Sequence, residues 1–367
     1  MARAANSAAA APAPLLAADL RQDCEQHKSE AEQPRGWARS RFEQCHRLDQ
    51  KINLYAVGTN EYKGFIQYDL WVLARSNDGD RTVTFEIRLE NAGIASQLNA
   101  DLGYVSLDFA GCNTLNVSCN GATTYRSDKI ENWFHHPEFA TIVATSPNNV
   151  GAGAYHTVDL LAQMSLFVEY RDGITIPYSN PTAVINASRF DSAGAPLGGK
   201  FHGAVFTDFV PTLELDARQG SNHRSEARHV LDALQRPRLT FPSVVGKSVP
   251  GAAGSNRPLH RLMPKSYRDQ NHDGAVSICT EVWGPEYPAG GLQCDEYPFQ
   301  STYEGSSTST GGNPRQWHGS ARPIDGAENG AGGTLLGNFY GAQRLIDTGD
   351  PAVSGSYGDA FYVKVLT

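Results

Sequence analysis

Residues 294–305 read CDEYPFQSTYEG, an acid pair, Asp295 and Glu296, behind a cysteine, with Glu304 nine positions after the first acid. Tyr297, Phe299 and Tyr303 surround these carboxylates with aromatic surface, so they are expected against a packed wall, where an acid can take a proton from water. A second stretch, ARPIDGAENGAGGTLLGN (321–338), carries Arg322, then Glu328-Asn329, then Asn338. It reads as a short strand bearing Arg322, a turn through Asp325-Gly326 and a helix starting near Glu328. Asn329 then lies at the helix N-terminus, and Asn338, two and a half turns on, faces roughly away from it unless the helix bends. An acid on one strand, an Arg on another and an Asn on the following helix are the parts of a one-metal phosphodiesterase. The acid deprotonates water, the amide oxygen holds Mg²⁺ or Mn²⁺, and the Arg fixes a phosphate. The same residues allow a structural reading, with the acids paired to Arg322 and Asn329 as a helix cap.

ICTE (278–281), CDEYPF (294–299), Glu304-Gly305 and R…ENGAGGTLLGN together resemble the NucA/NucB family of exported bacterial deoxyribonucleases, over about residues 255–367. The intervals from Asp295 to Glu304 and from Arg322 to Asn338 fit the family pattern without gaps. The resemblance implies an α+β domain similar to the ββα-metal (His-Me finger) nucleases, with an Asp where most of that superfamily has a His base. It implies DNA as substrate and a divalent cofactor, Mg²⁺ or Mn²⁺. By the same resemblance Asp295 is the general base, Asn329 the metal ligand and Arg322 a phosphate contact. Glu296 and Glu304 are acids of the family motif, and Asn338 would orient a metal-bound water. The chain departs from the pattern in its small residues at 330–334 and in the expanded loop SSTSTGGNPRQWHG, whose His318 is a substitute candidate for the base.

Other motifs are weaker. DQNHDG (269–274) matches the first half of a calcium loop, with Asp269, Asn271 and Asp273 as oxygen donors. The twelfth position is Thr280 and not Glu, so an Asx-turn leading into a strand AVSICTEVW competes with structural Ca²⁺. His135-His136 would point to opposite faces of a strand and serve one ion poorly. NNVGAGAY does not lie between a strand and a helix, and the absence of G-x-S-x-G argues against an esterase-type nucleophile. Six cysteines fall into three close pairs, Cys24/Cys45, Cys112/Cys119 and Cys279/Cys294. Three local disulfides, an oxidising compartment and therefore export are expected; a zinc site is disfavoured because no C-x-x-C occurs. The start lacks an apolar h-region and reads as a mature or a shortened N-terminus whose signal peptide is missing, and no stretch is long enough for a membrane span.

These residues need elements to hold them. In the 367-residue chain, residues 1–15 are small and Pro-rich and are expected to be disordered. Residues 16–50 are charged, lack β-runs and are broken at Pro34-Arg35-Gly36, which predicts a helical hairpin stapled by Cys24–Cys45. From 51 the period becomes two, as in TVTFEIRLE, and an antiparallel sandwich-like β domain with a linker helix is expected to residue 245. A Pro/Gly-rich boundary would then free residues 246–367 as a nuclease domain able to fold alone. The net charge of −8, and nine Lys/Arg against twelve Asp/Glu in residues 246–367 (9 − 12 = −3), supply no basic field for nucleic acid. A DNA endonuclease of little sequence preference is the leading expectation. A non-catalytic cell-surface or glycan-binding protein with a degenerate nuclease fold is the alternative, and the β domain would have an unknown ligand of its own.

Overall fold

Apolar residues alternating with polar ones shape most of the chain up to residue 206. The computed structural model describes residues 17–112, 114–120, 125–135, 138–177, 182–194 and 201–367. The segment expected to be disordered, and His136, lie outside them. After helix α1 (Ala17–Gln26) come β1 (Trp37–Ser40), β2 (Glu43–Ala56), β3 (Tyr62–Ser76) and β4 (Thr82–Ile94). Then follow β5 (Gly103–Ala110), β6 (Ser118–Cys119), β7 (Tyr125–Lys129) and β8 (Glu138–Thr145). The run ends with β9 (Val158–Tyr170), β10 (Thr175–Pro177), β11 (Thr182–Asp191) and β12 (Gly203–Phe206). One antiparallel sheet has the order β1-β2-β3-β4-β8-β6, with β10 added on β2, and the other has the order β12-β11-β9-β5-β7. Val83, Phe85, Ile87 and Leu89, the inward set of β4, are fully buried and share one core with Leu107, Met164, Leu166 and Phe190 of the second sheet. Apolar burial of this kind is the main stabilising contribution.

The second half of the expected helical hairpin is strand instead. Beyond Gly36 the chain forms β1 and β2, because Ile52, Leu54 and Ala56 supply an inward face with a period of two. The charged residues of β2 are matched across the sheet: Arg47 donates to Asp69 on β3 at 2.9 Å and also pairs with Glu32. Cys24–Cys45 therefore joins α1 to a strand. Cys112–Cys119 and Cys279–Cys294 are bridged as their spacing suggested.

The remaining elements are β13 (Thr212–Asp216), α2 (Arg224–Gln235), β14 (Leu259–His260), α3 (Lys265–Trp283) and β15 (Leu292–Tyr297). They are followed by β16 (Ser320–Asp325), α4 (Gly326–Ala342) and β17 (Ala360–Leu366). β17 pairs parallel with β13 and antiparallel with β14, and β15 and β16 form a two-stranded antiparallel sheet. The expected boundary near residue 245 falls inside this unit. Leu213 and Leu215 of β13, and Ala227, Val230 and Ala233 of α2, bury against Leu336, Phe361 and Val363, not against the sandwich. The chain crosses between the units after Phe206, and the Pro/Gly-rich run is an internal connection.

AVSICTEVW is helical, and the calcium loop does not form. Asp269, Asn271 and Asp273 lie on α3, where alternate positions diverge around the axis and cannot converge on one ion. Asp269 pairs with Lys265 at 2.6 Å. Asn271 is fully buried, donates to the Gln300 carbonyl at 2.9 Å and accepts from the Ser307 and Thr308 amides at 2.9 Å each. Gly274 permits this docking, since a Cβ there would lie 2.4 Å from Ser306 Oγ.

A buried ionic cluster joins the two units. Arg344 reaches Asp78 and Asp191 of the sandwich across Gly203, where a Cβ would meet its guanidinium. Asp359 in turn receives Arg189 at 2.6 Å and Arg41 at 3.1 Å. Burial opposes ionisation of Asp359, but the two guanidiniums prevail and hold its carboxyl well below the usual range.

Candidate active site

The acid pair sits on β15, and the register places Asp295 directly opposite Arg322 on β16. The Cys279–Cys294 bridge ties the residue before Asp295 to α3. Past β16, Asp325 caps α4, its Oδ1 accepting from the amides of Ala327 and Glu328 at 3.0 Å each. That start turns Asn329 toward the hairpin, where its Nδ2 donates to Gln293 Oε1 at 3.1 Å. Glu328 accepts from Ser225 Oγ at 2.6 Å, which ties the beginning of α2 to that of α4.

A cavity of about 380 Å³ lies among these elements, lined by Asp295, Glu296, Asn329, Glu226, Arg268 and His272 among others. Asp295 is 5 % exposed, and its Oδ2 lies 2.6 Å from Nδ1 of fully buried His229 on α2. The other ring nitrogen, Nε2, lies 2.6 Å from Ser320 Oγ on β16. Glu296 is also buried, and burial together with the Asp295 charge pushes its carboxyl up against the opposing pull of His272. His272 Nδ1 is 3.8 Å from Glu296 Oε1, a charge contact beyond hydrogen-bonding reach, and this neighbour raises its own pKa. Glu226, one turn before His229, is 2 % exposed, and its Oε2 has no hydrogen-bond partner. Burial, then the charges of Asp295 and Glu296, push it up to about 9. It fits beneath α4 because residue 332 is glycine; a Cβ there would sit 1.1 Å from Glu226 Oε2.

Three expected site residues, and the substitute candidate for the base, do not line this cavity. Glu304 accepts from the His260 amide at 2.9 Å, pairs with His260 Nδ1 at 2.7 Å, and lines a separate cavity with His318. His318 Nδ1 accepts from the Ser248 amide at 3.1 Å, in that separate cavity and away from Asp295. Arg322 donates to Asp232 of α2 at 2.8 Å, and Asn338 is exposed on α4. Sequence reasoning missed Glu226, His229 and Arg268. The first two had a signal: polar residues three apart, interleaved with the inward-facing Ala227, Val230 and Ala233.

Oxygen donors, three carboxyls in one cavity and a buried carboxyl oxygen without a partner suit a hard divalent cation. Among the described residues no three His, Cys, Asp or Glu side chains are arranged to hold an ion by themselves. The arrangement is therefore a carboxylate-rich cavity whose oxygen donors suit a cation that keeps several waters. Residues 265–352 match the family model described as Deoxyribonuclease NucA/NucB. That stretch contains α3, β15, β16 and α4, whereas α2 and the sandwich lie outside it. No curated protein and no solved structure matches the chain.

Proposed function

We propose that the protein is a secreted, metal-dependent endonuclease that hydrolyses DNA phosphodiester bonds with little sequence preference, acting at the Asp295 cavity. The observation that carries this reading is the convergence of Asp295, Glu296 and Asn329, all from the family-matched segment, on one cavity. An antiparallel strand pair followed by a helix supports a ββα-metal type of centre. The three disulfides support an oxidising compartment.

In this reading Asp295 is the general base, with Oδ2 engaged by His229 and Oδ1 left to take the proton of the attacking water. The Asn329 amide oxygen would hold the cation, and the neighbouring carboxyls would add negative charge once ionised. Mg²⁺ or Mn²⁺, when bound, would stabilise charge on the reacting phosphate and the departing oxygen. Arg268 lines the cavity and has no ion-pair partner among the described residues, so it takes over the phosphate contact that Arg322, held by Asp232, does not offer. With few such cations, DNA affinity should be weak and salt-sensitive.

Plasmid nicking in Mg²⁺ or Mn²⁺, compared with EDTA, tests the activity. Asp295→Asn should lower the rate by about 100-fold or more while Mn²⁺ binding by calorimetry persists. Asn329→Ala should weaken Mn²⁺ binding and recover part of its activity at higher Mn²⁺. Absence of cleavage with any divalent ion would favour the binding-protein alternative.

A further inference from the structure

Helix α2 lies outside the family-matched segment, yet it touches the proposed base. His229 is 0 % exposed, so it cannot itself meet water or DNA. Its two ring nitrogens bridge the hairpin, with Nδ1 on Asp295 of β15 and Nε2 on Ser320 of β16, each at 2.6 Å. Ser320 is 1 % exposed, so both ends of this chain are shielded from solvent. A buried imidazole with both nitrogens occupied has a fixed ring plane, which fixes the carboxylate bound to it. With Oδ2 engaged, the carboxylate can present only Oδ1 to the cavity.

We propose that His229 is a positioning residue for the nuclease reaction. It holds Asp295 through Oδ2, and Ser320 sets the orientation of its ring. This inference rests on the reading of Asp295 as general base. It also makes α2, supplied from before residue 245, an obligatory part of the active centre. The competing account is that His229 merely fastens α2 to the hairpin. The two accounts differ in what happens once Asp295 can no longer act as a base.

The test uses the full chain with Mn²⁺ and a fluorogenic DNA substrate. His229→Leu keeps the bulk and removes both hydrogen bonds. It should lower kcat by roughly 10²-fold, the scale of a small misplacement of a reacting group, with KM little changed. Added to Asp295→Asn, the same change should cost less than about 2-fold, because there is no base left to position. A second pair of variants keeps the question open to test if the leucine variant does not fold. His229→Asn places an amide donor near the Nδ1 position, and His229→Gln places one near Nε2. The asparagine variant should be at least about 10-fold faster in kcat than the glutamine variant. Equal rates for these two would overturn the proposal, as would a full 10²-fold loss from His229→Leu in the Asp295→Asn background. Wild-type rates in His229→Leu, with Asp295→Asn inactive, would overturn it and leave the nuclease reading in place. Wild-type rates in Asp295→Asn would remove the reading on which it rests.

Discussion

The glycines of α4 separate two demands that a single residue type can answer. Gly330 is exposed with nothing within 4 Å of an added Cβ, whereas Gly332 has the Glu226 carboxyl where its Cβ would be. Alanine is favoured over glycine by about 1 kcal/mol inside an exposed helix. Gly330→Ala should therefore raise stability in urea melts by up to that amount, and Gly332→Ala should lower it by displacing Glu226. Equal effects at the two positions would contradict the packing of Glu226 under α4. The Glu226 carboxyl also gives a pH signature. Its folded pKa of about 9 is above the ordinary 4.5, so its contribution is fully present below pH 4.5 and is lost as pH rises toward 9. In EDTA, Glu226→Gln should match wild type near pH 4.5 and exceed it increasingly in thermal melts up to about pH 9. A difference that does not change with pH would mean that Glu226 is not buried as a neutral acid.

At the scale of elements, the bridge between α3 and β15 anchors the strand that carries the proposed base. Closing a loop of about 15 residues is worth roughly 3 kcal/mol in the chain-entropy model. Replacing Cys279 and Cys294 by Ser should cost on that order in denaturant melts, and a loss near zero would show that packing of α3 alone holds β15. These elements were legible in the sequence to different degrees. The alternation of β3, β4, β5, β9 and β11, the strand–turn–helix run from Arg322 and the cysteine pairs could be read because each signal is local. α3 was misread because Asp269, Asn271, Asp273 and Gly274 imitate a metal loop, while their roles are set by a distant segment: Asn271 by residues 300–308 and Gly274 by Ser306. β2 was misread because its charges suggested a helix, and only pairing with β3 reveals their partners. Among the residues lining the proposed site, Asp295, Glu296 and Asn329 could be picked out by motif. Glu226 and His229 were missed because a Pro/Gly-rich run after α2 looked like a domain boundary.

At the scale of the whole molecule, that apparent boundary decides what can be cut away. A fragment of residues 246–367 would lose β13, the parallel neighbour of β17, and α2, which covers Asp295 and Arg322. Phe361 and Val363 would be uncovered along with the site, so this fragment should be insoluble or inactive. A fragment of residues 207–367 keeps both elements and the whole apolar core of the C-terminal unit. It still loses Asp78 and Asp191 as partners of Arg344, and Arg41 and Arg189 as partners of Asp359. Removing one side of a buried ion pair is costly because the remaining charge is left without compensation, although solvent reaching the newly exposed face reduces that cost. The longer fragment should therefore fold and nick DNA with Mn²⁺, with a lower Tm than the full chain. Arg344→Met together with Asp359→Asn in that fragment should recover part of the difference, since both changes remove stranded charge. Full activity in residues 246–367 would refute the assignment of α2 to the active centre. An inactive but folded 207–367 fragment would show that the sandwich does more than neutralise the junction.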